Sequence, residues 1–172
     1  FLFMSDDIVN LPLYQHPNSP ILVDHSLGRG AGRIFINDEG KILDVNVELN
    51  FDTEANLYYF EFRLISPYGT QVKLINRNLV NGQKFDQTVF DDEAGQEINS
   101  GSNPFYGSYR PIEALSDLDG EELKGDWTLW GYNHDTNNTS QLSGWSLTVE
   151  YSDETPDPPP PPAPGITYTS TD

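Results

Sequence analysis

The sequence predicts an all-β fold, an antiparallel β jelly roll or β-sandwich, on three observations. Short runs of alternating apolar and polar residues recur along the chain, Gly and Pro punctuate them, and no run shows the apolar period of an amphipathic helix. Residues 1–32 read as an irregular N-terminal arm, because Pro12, Pro17 and Pro20 interrupt any long helix or central strand. Strand-like runs follow at 33–37, 42–51, 58–65, 71–75 and 88–90. In the second of these, Val45, Val47 and Leu49 fall on one face and Asn46, Glu48 and Asn50 on the other. Asn37-Asp38-Glu39-Gly40 and Ser66-Pro67-Tyr68-Gly69 mark turns, each with a Gly where positive φ is called for, and the second turn closes a hairpin.

The most informative stretch is 107–151, where two Trp-centred runs, 126–130 and 145–151, flank a polar loop. Both alternate in polarity, so Trp127 and Trp145 are expected in the core and the two strands are expected to pair across the loop. One domain is expected over 33–151. Residues 152–172 then read as an acidic and polyproline linker, with five consecutive prolines at 158–162, ending in a short β-competent segment. Such a proline run favours an extended spacer of ~3.1 Å per residue.

With 27 Asp and Glu against nine Lys and Arg, the net charge is −18, which opposes binding to nucleic acid and to anionic membrane surfaces. No run approaches the ~20 apolar residues of a membrane-spanning helix, so no membrane insertion is expected. Cysteine is absent, which excludes disulfides and thiolate metal sites and leaves oxygen-ligated ions as the natural ones. A start at Phe1, without an initiator Met, fits a processed, secreted product.

Six blocks occur in order: Ile42-Leu43-Asp44-Val45-Asn46-Val47; Leu64-Ile65-Ser66-Pro67-Tyr68-Gly69-Thr70; Phe90-Asp91-Asp92-Glu93-Ala94; Tyr109-Arg110-Pro111 with Leu115, Gly120 and Glu121; Gly125-Asp126-Trp127-Thr128-Leu129; and Leu142-Ser143-Gly144-Trp145-Ser146-Leu147. Together they resemble the P domain, or Homo B domain, of proprotein convertases and bacterial secreted proteases, over roughly residues 33–151. The resemblance implies a non-catalytic β jelly roll that accompanies a protease or serves as an accessory module. It also implies structural roles for the Asp-Asp-Glu-Ala and Tyr-Arg-Pro blocks, with Arg110 pairing one of those carboxylates. The chain departs from the family where a His-Thr pair and a Gly-Asp-Leu precede the Ser-Pro-x-Gly-Thr turn; Glu54-Ala55-Asn56-Leu57-Tyr58-Tyr59-Phe60 stands there instead. Whatever that His and Asp do in the family is not carried over.

No catalytic residue and no organic cofactor is expected. His16, His25 and His134 lie in loops or arms, apart from any nucleophile-elbow signature. The one cofactor considered is calcium, with Asp91, Asp92, Asp117 and Asp119 as candidate ligands, since alternate carboxylates beside a Gly turn suit a hard cation. Short acidic side chains that accept backbone N–H groups in turns have the same appearance. Asn137 and Asn138 head overlapping glycosylation sequons. Phe105, Tyr106 and Tyr109 either close the end of the sandwich or stand exposed for a sugar or peptide. Phe1, Leu2, Phe3, Ile166 and Tyr168 are candidate assembly residues, able to add a strand to the sheet edge of a neighbouring copy. The expected role is therefore an extracellular structural or protein-interaction module, with a protein partner or copies of itself, in the latter case as a self-assembling subunit of an extracellular filament joined through its terminal arms; the alternative is an accessory domain that stabilises or targets a secreted protease or other hydrolase.

Overall fold

A computed structural model describes residues 9–15, 21–23, 30–138, 140–152 and 165. Two sheets face each other. The first contains β1 (Val9–Asn10), β2 (Leu13–Gln15), β3 (Ile21–Val23), β5 (Lys41–Asp52), β8 (Lys84–Phe90), β9 (Gly107–Tyr109) and β11 (Ser140–Ser152). The second runs in the order β4 (Gly30–Ile36), β10 (Gly125–Asn133), β6 (Phe60–Ile65) and β7 (Gln71–Ile75). Of these strands only β8 and β9 pair in parallel; every other pairing is antiparallel. Among the described residues there is no α-helix; three 3-10 turns, Leu57–Tyr59, Ile98–Ser100 and Leu115–Leu118, complete the regular structure.

Period-two alternation builds the core. On β5, Val45, Val47, Leu49 and Phe51 are buried while the residues between them are not, as a strand with one face on a core requires. Rings from the two sheets meet in the middle: Phe51 lies 4.9 Å from Phe60 and 5.2 Å from Phe62, both edge-on, a favoured aromatic arrangement. The hairpin across Ser66-Pro67-Tyr68-Gly69 is present between β6 and β7, and Gly69 takes φ 87°.

Two expectations about strand partnership change. The Trp-centred strands do not pair with each other. β10 pairs with β4 and β6, whereas β11 pairs with β5 in the opposite sheet, so Trp127 and Trp145 are buried from opposite sides of one core. Alternation fixes which face of each strand is apolar, but leaves open whether the loop between them turns within a sheet or crosses the sandwich. The arm is also more ordered than its prolines suggest. β1, β2 and β3 each pair antiparallel with the outer edge of β11, so the arm supplies a broken edge strand between its prolines. Tyr14 secures it further by donating its hydroxyl to Asp38 at 2.6 Å, and its phenol is held well above the ordinary value, first by burial and then by that bond. A third expectation shifts locally. Tyr58 and Tyr59 fall in a 3-10 turn capped by the Asn56 side chain, and β6 begins only at Phe60.

Candidate functional site

The polar residues of the sequence blocks are turned inward. Ser66 and Thr70 both donate their hydroxyls to Oε1 of Glu121, at 3.1 and 2.7 Å, tying the β6–β7 turn to the segment that precedes β10. Pro67 of that turn packs against Gly125, where a Cβ would stand 2.7 Å from the proline ring and φ is +135°, so only glycine fits. The same segment is stitched to the start of β5: Ile42 donates its N–H to Glu121, Gly120 to Ile42, and Leu123 to Gly40. Replacing Glu121 by alanine strands the hydroxyls of buried Ser66 and half-buried Thr70; an unfolding free energy lower by about 2 kcal/mol is expected in urea titration, and a loss under about 0.5 kcal/mol would show the carboxylate to be dispensable.

Asp92 is a cap. Its two carboxylate oxygens accept the N–H groups of Leu115 and Ser116 at 3.0 and 2.8 Å, opening the 3-10 turn Leu115–Leu118. Asp91 accepts from the N–H of Glu93 at 2.8 Å. Arg110 bonds the carbonyl of Ala94 at 2.7 Å and lies 3.5 Å from Glu97, so among the described residues its partners are not Asp91, Asp92 or Glu93, the carboxylates of the block with which it was expected to pair. The block is joined by main chain and by Glu97, which sequence spacing did not single out.

Asp91, Asp92 and Asp119 nevertheless share an acidic neighbourhood with Asp44, Glu93 and Glu150. The Asp44 carboxyl titrates above its ordinary range, chiefly through burial and then through Asp91. That of Asp119 is raised by burial and then by Asp44 and Asp92. Glu93 is raised by its hydrogen bond with Asp91, then by burial and by Asp44. Asp117 is exposed on the 3-10 turn and contributes to none of these shifts. Among the described residues, no group of three or more His, Asp or Glu side chains stands close enough together to hold a metal ion.

These shifts have one sign. The folded state binds the protons more tightly than the unfolded chain, so the stabilising contribution is full below the ordinary carboxylate pKa of ~4 and is lost as pH rises through the raised values. Asp44→Asn is therefore expected to raise the melting temperature at pH 7 and to change it little near pH 4, with the gain shrinking in high salt. Calorimetry across that range tests this; an Asn variant less stable at pH 7 would show that Asp44 is held by favourable bonds instead.

The loop between β10 and β11 separates the two sequons. Asp135 accepts from the N–H of Asn137 at 2.9 Å and from the side-chain amide of Asn138 at 2.6 Å, which holds its own carboxyl below the ordinary range. Asn138 is half-buried and its amide is engaged, whereas Asn137 is exposed. Of the loop aromatics, Phe105 and Tyr109 are buried at the end of the core, 6.0 Å apart, and only Tyr106 stands out in solvent.

On the outer face of the second sheet, side chains form a ladder: the Arg63 guanidinium sits 5.2 Å from the Trp130 ring centre, Trp130 stacks on Tyr132, and Tyr132 meets His134 edge-on at 4.5 Å. Glu61 lies beneath, pairing with Arg63 and lying 3.6 Å from His134. His134 is thus tied to this ladder. His16 and His25 lie outside the described residues, as do the candidate assembly residues Phe1, Leu2, Phe3, Ile166 and Tyr168.

A family model described as the proprotein convertase P-domain matches residues 42–149. Among solved structures, the serine protease of Aeromonas sobria in complex with its chaperone ORF2 is similar, with 19% identity over 83% of this chain and a TM-score of 0.52. The same protease without its chaperone gives 19% identity over 81% of this chain and a TM-score of 0.48. In both comparisons the chain spans only 27% of the other protein's length. No curated protein matches. Among the described residues, no helix is long and apolar enough to cross a membrane.

Proposed function

The chain belongs to the proprotein convertase P-domain family, and from that membership we propose that it acts outside the cytoplasm as a non-catalytic structural or protein-interaction module. One observation carries this reading: the polar groups of the family-like blocks are occupied in holding the sandwich together. Ser66 and Thr70 bind Glu121, Asp92 caps a turn, and the Trp127 indole donates to the Leu123 carbonyl at 2.9 Å. Side chains so engaged are frame, and recognition then falls to the sheet faces and edges that the frame presents.

A second reading, an accessory domain beside a secreted hydrolase, draws on the fold shared with the Aeromonas sobria serine protease, in which the matching region is about a quarter of the chain. Both readings have a protein partner and neither assigns chemistry to this domain. The purified chain is expected to show no turnover of casein or chromogenic glycosides above a heat-unfolded control, and to be found in the medium of its native culture. Turnover that follows the chain through repurification, or retention inside the cell, would overturn the reading.

A further inference from the structure

Edge strands are where a β-sandwich recruits another chain, and natural proteins blunt them. Three of the sheet ends here are blunted. The first sheet ends on one side in β1, β2 and β3, each only two or three residues long. On its other side β9 is three residues long, and the flanking Arg110 exchanges main-chain bonds with Gln96 and Ile98. In the second sheet β7 is covered: Leu74 and Lys73 accept from the N–H groups of Ile112 and Glu113, and the Lys73 N–H donates to the Glu113 carboxylate.

β4 differs. It runs seven residues in unbroken register against β10 and contains no proline, lysine or bulge; β2 and β3 of the arm pass near it, but among the described residues no main-chain bond reaches its other side. Its outer face exposes Arg33, and Phe35 at 63%. A run of outward N–H and C=O groups flanked by an exposed ring is a template for an added strand.

The chain itself carries a segment suited to that edge. β11 releases the chain at Ser152, whose carbonyl lies against Gly40 in the turn that succeeds β4; a Cβ on Gly40 would come within 2.4 Å of it. Residues 156–164, all proline but Asp157 and Ala163, would span roughly 28 Å when extended, against ~23 Å for a seven-residue strand. A stiff spacer of that length is long enough to take the C-terminal residues past the molecule's own β4. Those residues, Ile166-Thr167-Tyr168-Thr169-Ser170-Thr171-Asp172, are as many as β4 has, are rich in β-branched side chains, and alternate Ile and Tyr with Thr. They lie outside the described structure, and their role rests on composition and length.

We propose that the outer edge of β4, which carries no main-chain bond among the described residues, accepts residues 166–172 of a second copy as a fifth strand of the four-stranded sheet. The proposal rests on the interaction reading given above and names the partner. In an antiparallel register with Tyr168 opposite Phe35, the two rings meet as a cross-strand pair and Asp172 falls diagonal to Arg33. Each copy then offers one donor and one acceptor, a head-to-tail relation that stays open at both ends.

Light scattering and hydrogen exchange on the full chain test this, beside a Thr167→Pro/Thr169→Pro variant that leaves every described residue intact. The full chain is expected to associate beyond its 19.3 kDa monomer as concentration rises, with the β4 amides protected. The double-proline chain is expected to be monomeric, its outward β4 amides exchanging about tenfold or more faster. A synthetic peptide of residues 166–172 is expected to restore that protection. A full chain that stays monomeric with unprotected β4 amides overturns the proposal. So does a monomer with β4 protected, which would mean a strand supplied within one molecule, and so does association that survives the two prolines. None of these results bears on the extracellular, non-catalytic reading, which falls to turnover or to retention inside the cell.

Discussion

Trp127→Ala is expected to lower the unfolding free energy by about 3–5 kcal/mol, the range for emptying a buried aromatic site. The indole is completely buried on β10, the strand between β4 and β6, so the surrounding backbone is held on both sides and collapses little into the void. The loss has a second source. The indole N–H donates to the carbonyl of Leu123, in the segment that also carries Glu121 to the hydroxyls of Ser66 and Thr70. Removing the ring leaves that carbonyl unsatisfied and loosens the segment. Trp127→Phe separates the two contributions: it retains much of the apolar volume, and its remaining deficit reports the lost hydrogen bond, roughly 1–3 kcal/mol. Chemical denaturation of the three proteins measures both. An alanine variant within about 1 kcal/mol of the parent would mean that the strand is not packed as described.

Deleting residues 1–23 is expected to turn the chain into one that associates non-specifically. The deletion uncovers the outer edge of β11, a thirteen-residue strand that β1, β2 and β3 otherwise cover. It also removes the fully buried side chain of Val23, whose loss alone forfeits roughly 2 kcal/mol of apolar burial. A long uncovered strand with alternate apolar residues is the setting in which sheets pair edge to edge. Size-exclusion chromatography should show aggregates of the deleted chain at concentrations where the full chain, or its double-proline variant, gives defined species. A deleted chain that is monomeric and as stable as its parent would show the arm to be a passenger.

Much of the fold was legible because strand faces are written at period two. The alternation over 42–51 and the hairpin at 66–69 appear where the residues place them. What period two does not encode is the partner of a strand. Trp127 and Trp145 carry the same pattern whether their strands lie side by side or in facing sheets, and only the competing edges of β5 and β6 decide. The arm was obscured for a related reason: proline forbids a long strand but not two- and three-residue pieces set between prolines, each too short to show a period. At the candidate site, Glu121 stood within a recognised block, yet its partners Ser66 and Thr70 lie more than fifty positions away. Acidic residues were legible as a group and not by role. Asp92 proved to be a cap and Asp117 a surface residue, a distinction set by which main-chain N–H groups the fold brings within reach.

Val9 and Ser152 are cross-strand partners, so the chain enters and leaves the described sandwich side by side. Tension applied through these two points would pull directly across the Val9–Ser152 pair, then across Asn10–Tyr151, so the main-chain bonds would break in succession, as in opening a zipper. β11 itself is clasped by β5 along nearly its whole length, so the two-residue pairing with β1 is the weaker side of that strand. β1 and β2 would act as a mechanical fuse: under stretch they let out slack at low force while the fully buried Val23 keeps β3 in the core, and they can re-form when the tension is released.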